Sequence, residues 1–185
     1  MKEPMKLTTD VQETIEALKH GGVVVYPTET SYGIGCDAAN EPAVIRVFEI
    51  ISRAPGKGAA MLLSANERFG DSFATWDQHL YDLALKFWPG PLAAICPTKT
   101  ESSGAPPCIP ERPIATRPSS HPIASALADG LGVPLLFTVA TISGEPEFQS
   151  AQEIFDRFSR EGAQPDLIYD AGVLPKTRTV DAGGV

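Results

Sequence analysis

The chain has 185 residues, 43% of them hydrophobic, and sets 15 basic against 23 acidic side chains for a formal net charge of −8. That length suits one globular domain over residues 1–185 with a full core, and the acidic balance argues against broad, nonspecific nucleic-acid binding, so any RNA contact would have to be local. The opening stretch MKEPMKLTTD has no apolar signal region and no apolar run approaches the roughly 20 residues of a membrane helix, which predicts a cytoplasmic protein with no membrane partner.

Helical and strand patterns alternate along the chain, the signature of an α/β fold. Thr9 and Gln12 are spaced as a capping box; Val11, Ile15 and Leu18 follow at helical spacing, and Gly21 and Gly22 close that helix ahead of a strand at Val23 to Tyr26. A second strand is predicted from Tyr32 to Cys36. Ala43, Val44, Val47, Phe48 and Ile51 then share one helix face, which ends near Arg53 because Pro55 and Gly56 follow. Ala60 to Leu63 reads as a strand, Leu80 to Trp88 as a helix, and Pro89-Gly90-Pro91 turns the chain into a strand at Leu92 to Cys96. Residues 98–113, rich in Pro, Ser and Gly, read as a long loop of the kind that is a lid, a binding loop or disordered. Beyond it come a short strand at Ile114 to Thr116, a helix beginning at Pro122 to Leu127 and a strand at Leu135 to Thr138. A helix capped by Ser150 and Glu153 follows, then short strands at Leu167 to Tyr169 and Thr179 to Val180.

The segment Val23 to Ala38, VVVYPTETSYGIGCDA, carries the most chemistry. Thr28, Thr30 and Ser31 offer hydroxyls, Glu29 a carboxylate, and Gly33 and Gly35 let another group approach the main chain, a set that suits a small polar ligand. The same hydroxyls also suit an ordinary strand turn. Gly33-Ile34-Gly35-Cys36-Asp37-Ala38 fits a dinucleotide fingerprint in letters only, since the next helical pattern starts near Glu41 rather than directly after the glycines. Cys36, Cys96 and Cys108 are scattered and His20, His79 and His121 stand alone, so neither disulfides nor a protein-held metal is indicated. Arg53, Lys57 and Arg117 end predicted elements. They would face one cleft if those ends meet, ready for a phosphate or carboxylate, and would otherwise be solvated surface charges.

Six segments, in order, resemble the YrdC and YciO family. YPTETSYGIGCDA is similar to its PTET-x-YGLG-x-DA signature, FEIISRAPGKG to its KxRPxxKG helix end and FWPGPLAAICP to its WPGPLT strand entry. ATRPSSHPIA is similar to its VRxPxHP segment, PLLFTVATISGEP to PLxxTSANxSGxP, and KTRTVD to STVVD. The resemblance implies a twisted sheet, mostly parallel and partly antiparallel, flanked by helices around a large concave cleft with a positive floor. It implies synthesis of L-threonylcarbamoyl-adenylate from ATP with Mg2+, L-threonine and bicarbonate, for modification of adenosine 37 in transfer RNA alongside tRNA-modification partner proteins.

No protein nucleophile is needed for such a reaction, only alignment and stabilisation of phosphate charge. Carried over by position, Thr28 and Tyr32 would border the threonine pocket, Arg117 would pair with the threonine carboxylate, and Thr177 would stand for the family's late serine. Arg53, Lys57, Thr138 and Ser143 would face the nucleotide. The sequence departs from the family at Ile51, where a lysine is usual, and at Val139 and Thr141, where serine and asparagine are usual. The alternative implied by the same resemblance is a noncatalytic YciO-like relative that binds a nucleotide or double-stranded RNA.

Overall fold

A computed structural model of the protein describes residues 4–54, 60–64, 77–97 and 114–175. Within them the elements are β1 (Lys6–Thr8), α1 (Val11–Lys19), β2 (Val24–Pro27), β3 (Tyr32–Gly35), α2 (Glu41–Ile50), β4 (Ala60–Leu62), α3 (Gln78–Phe87), β5 (Ala94–Cys96), β6 (Ile114–Arg117), α4 (Pro122–Leu131), β7 (Leu135–Val139), α5 (Ala151–Phe158) and β8 (Leu167–Tyr169). The expected loop at 98–113 and strand at 179–180 lie outside the described residues. Among the described residues no helix is long and apolar enough to cross a membrane.

The strands form one eight-stranded sheet in the order β1-β8-β2-β3-β7-β4-β6-β5. The sheet is mixed, as the resemblance implies, but not mostly parallel. Three described pairings are parallel (β1–β8, β2–β8, β4–β6) and four are antiparallel (β2–β3, β3–β7, β4–β7, β5–β6). The cause is local for β2 and β3, since a connection as short as residues 28–31 can only return the chain antiparallel. β7 then runs antiparallel to both of its neighbours, with Gly33 opposite Val139 and Ala60 opposite Phe137.

Helices cover both faces because side chains alternate along each strand. Val24, Tyr26 and Leu135 point toward α1 and α4, where they meet Ile15, Leu18 and Leu127. Val23, Val25, Ile34 and Leu136 point the other way, into a core with Val44, Val47 and Phe48 of α2 and Ile154 and Phe158 of α5. Cys36 sits in that second core as a small apolar residue. Burial pushes the Cys96 thiol up to about 11, which leaves it protonated and unreactive.

The helix starts mostly follow the sequence. Ser150 and Glu153 form the full capping box of α5. At α1, however, the cap is Asp10 rather than Thr9: its carboxylate accepts from the N–H groups of Gln12 and Glu13, two donors where a hydroxyl at Thr9 would serve one. β1 had no sequence signal, because three residues with a single aliphatic side chain make a strand only by pairing with β8.

Gly33 and Gly35 do admit a close approach, but the group that approaches is the protein's own β7. A Cβ on Gly33 would overlap the Phe137 ring, and one on Gly35 would overlap the Leu136 carbonyl oxygen. Gly35→Ala is therefore expected to force β3 and β7 apart and cost about 2–3 kcal/mol. Gly162→Ala, which meets nothing within 4 Å, should stay within about 0.5 kcal/mol of the parent. Urea unfolding of the two variants checks this, and equal midpoints would refute it.

Candidate active site at the end of strand β7

The turn between β2 and β3 is built by one hydroxyl. Thr28 donates its Oγ1 hydrogen to the Ser31 carbonyl at 2.7 Å, and the same oxygen accepts from the N–H groups of Thr30 and Ser31 at 3.3 Å each. The Thr28 N–H also reaches the Ser31 carbonyl, at 3.0 Å. Thr28 is thus consumed in shaping the turn, and what the turn offers outward is Glu29.

Glu29 meets Arg117 at the end of β6, with Nη1 donating to Oε1 at 3.0 Å. The pair is deeply placed, the side chains being 5% and 16% exposed. The Ser119 hydroxyl donates to the second oxygen of Glu29 and accepts from the His121 N–H at 3.2 Å. The Arg117 guanidinium carbon lies 5.2 Å from the centre of the Phe137 ring, a cation–π contact. Burial lowers the pKa of Arg117, and the charge of Glu29 offsets part of that loss. The Gly90 N–H, in the turn after α3, bonds the Pro118 carbonyl at 3.0 Å and so fixes the chain next to Arg117.

The second cluster lies where α2 ends. Arg53 donates from Nη1 to the Thr138 hydroxyl at 3.1 Å. The Ser143 N–H donates to the Ile51 carbonyl at 2.9 Å, tying the loop after β7 to the helix end. That end is a Schellman closure, with Arg53 N–H on the Phe48 carbonyl and Ser52 N–H on the Glu49 carbonyl. Ser52 holds the left-handed position at φ 52° where glycine is usual, which aims Arg53 at β7.

Phe137 and Thr138 are consecutive on β7, so they face opposite sides of the strand. Arg117 lies over the first and Arg53 bonds the second. The structure therefore joins Arg53, Thr138 and the Ser143 backbone in one group and Arg117, Glu29 and the Thr28 turn in another, with β7 between them. Tyr32 stands apart from both: its hydroxyl donates to the Gly172 carbonyl at 2.8 Å and accepts from the Ala171 N–H at 3.0 Å, and burial raises its pKa. Lys57 and Thr177 lie outside the described residues. Sequence reasoning missed Ser119 and His121, although both sit inside the SSHP stretch that follows Arg117.

Elsewhere, a concavity of about 570 Å³ opens at the other end of the parallel strands, lined by Lys6, His20, Arg46 and Asp166. Its two permanent cations are paired with Glu13 and Asp166, so it offers little net charge to an anion. Among the described residues no group of three His, Cys, Asp or Glu side chains is placed to hold a metal ion.

The Sua5/YciO/YrdC family model, described as telomere recombination, matches residues 16–180. The chain belongs to that family. It is 35% identical over 150 residues, 79% of each chain, to a protein of Xanthomonas campestris pv. campestris named threonylcarbamoyl-AMP synthase. It is also similar to the solved structure of P. abyssi Sua5 complexed with L-threonine, at 25% identity and a TM-score of 0.77, covering 93% of this chain and 51% of that one. The chain thus spans about half the length of that Sua5. E. coli YciO gives the same TM-score of 0.77 at 25% identity, covering 97% of this chain and 88% of the other.

As a Sua5/YciO/YrdC member the chain has a physical account of two of the three departures. Ile51 is fully buried in the core beneath α2, so the residue found where the sequence resemblance implies a lysine fills apolar space. Thr141, also buried, spends its hydroxyl on the Pro146 carbonyl at 2.8 Å.

His121 sets the pH response of the Arg117 side. It caps α4 by accepting the Ile123 N–H on Nδ1 at 3.2 Å, which requires an unprotonated Nδ1. Burial lowers its pKa below 6.5, with Glu29 opposing. A depressed folded pKa means the contribution is complete above 6.5, where both states are neutral, and is lost as pH falls from there through the folded pKa. The stability difference between the parent and His121→Asn, which caps without titrating, should accordingly shift against the parent between about pH 7 and pH 5. Urea unfolding across that range tests it, and a constant difference would rule it out.

Proposed function

We propose that the protein makes L-threonylcarbamoyl-adenylate from ATP, L-threonine and bicarbonate, within a single domain. The observation that carries this reading is the placement of Arg117 and Arg53 on consecutive residues of β7. The two cations contact neighbouring residues of one strand, Phe137 and Thr138, from opposite sides of it. Similarity to proteins named threonylcarbamoyl-AMP synthase, and to a Sua5 solved with L-threonine, supports the same assignment over a noncatalytic one.

In this reading Arg117 takes the threonine carboxylate and Arg53, with Thr138 and the Ser143 region, takes the phosphates. The threonine amine captures carbon dioxide from bicarbonate as a carbamate. A carbamate oxygen then attacks the α-phosphorus of ATP, the bond to the β-phosphate bridging oxygen breaks, and pyrophosphate leaves. Both reactants are anions, so the main task is to hold them together and offset their charge, work that guanidinium groups and backbone donors do without a nucleophile. Magnesium belongs here to the substrate as MgATP, because such ions are held chiefly by phosphate oxygens and water. The product is an activated group for transfer to adenosine 37 of transfer RNA.

Purified protein with MgATP and bicarbonate should release pyrophosphate only when L-threonine is added. Arg53→Ala should raise KM for ATP about 10- to 100-fold and leave that for threonine nearly unchanged, whereas Arg117→Lys should do the reverse. Pyrophosphate release that ignores threonine, or two variants with the same KM pattern, would overturn the assignment.

A further inference from the structure

Arg117 is 4% exposed, yet among the described residues only Glu29 accepts a hydrogen bond from its guanidinium. A guanidinium has five N–H donors, so Glu29 engages only part of its donor capacity. Buried donors that lack an acceptor are costly unless something arrives to meet them. The group is nevertheless well aimed. Phe137 lies along its face, Glu29 holds one edge, and Glu29 is itself held on its other oxygen by Ser119 and carried on a turn closed by Thr28.

From this geometry we infer that Glu29 is a positioning residue for substrate: it locks Arg117 so that the unpaired edge of the guanidinium is presented to the carboxylate of the amino acid. The inference rests on the reading that Arg117 receives the threonine carboxylate. A second role follows from charge. Arg117 and Glu29 together are neutral, so the site favours a ligand that is neutral as a whole and charged in parts, which an amino-acid zwitterion is and a simple carboxylate is not. Ser119 acts one step further back, by keeping Glu29 from swinging toward solvent.

The test uses full-length protein and two readouts. Calorimetry measures L-threonine affinity, and nuclear magnetic resonance of the Arg117 side chain measures whether rotation of its guanidinium is restrained. Glu29→Gln should weaken threonine binding about 10- to 100-fold and abolish the restrained Arg117 signals, and Glu29→Asp should restore part of both. Ser119→Ala keeps every charge and should weaken binding about 3- to 10-fold, so it decides the matter even where Glu29→Gln does not fold. In the parent, 3-hydroxybutyrate, which lacks the amine, should bind far more weakly than threonine, and Glu29→Gln should narrow that gap. If the parent binds no threonine, the functional reading falls and this extension falls with it. If the parent binds threonine but Glu29→Gln and Ser119→Ala bind it equally well, or Arg117 stays restrained without Glu29, only the present inference is overturned.

Discussion

The approach of β7 to β3 is the contact on which the site depends. Two glycines make it: side chains at 33 or 35 would occupy the volume of the Phe137 ring and the Leu136 carbonyl. With them absent, Phe137 can lie flat against β3 and serve as the floor for Arg117, while Thr138 on the other side of the strand is brought to Arg53. The same closeness lets the Ala140 N–H reach the Tyr32 carbonyl at 2.9 Å, which starts the loop carrying Ser143 from a fixed point. A strand pairing thus sets the positions of two cations that differ by 64 residues in the chain.

Burying an arginine is unfavourable by itself, because the charge leaves water. Here the cost is limited by two neighbours of different kinds: an ion pair with Glu29 and the electron-rich face of Phe137. The arrangement stabilises the cation without using up its donors, which separates this pair from the one at Arg46. There the guanidinium bonds Gln164 and Asp166 on a half-exposed surface and does structural work between α2 and β8.

Much of the fold was legible because it rests on local signals. The apolar run before Thr28, the helical spacing of α2, the Ser150 box and the order of elements all come from neighbours within a few residues. The site was legible in its parts and not in its assembly. That Gly33 and Gly35 would admit a strand instead of a ligand, and that Glu29 would face Arg117, are facts about partners far along the chain, 88 residues away in the last case. Ile51 shows the same limit. Its letter departs from the family pattern, but only the packed core beneath α2 explains what an aliphatic residue does there.

The acidity of the chain then has a consistent place in this scheme. A formal charge of −8 disfavours anions over the surface as a whole, and it is screened within about 8 Å at physiological ionic strength. A cation that is buried is screened far less. Placing Arg117 under cover, aimed by Glu29 and backed by Phe137, therefore lets one guanidinium act strongly at short range inside a molecule whose exterior discourages nonspecific anions. The contrast is one of range: the surface at large offers polyanions nothing, whereas the buried cation acts only on a group that comes within the fold.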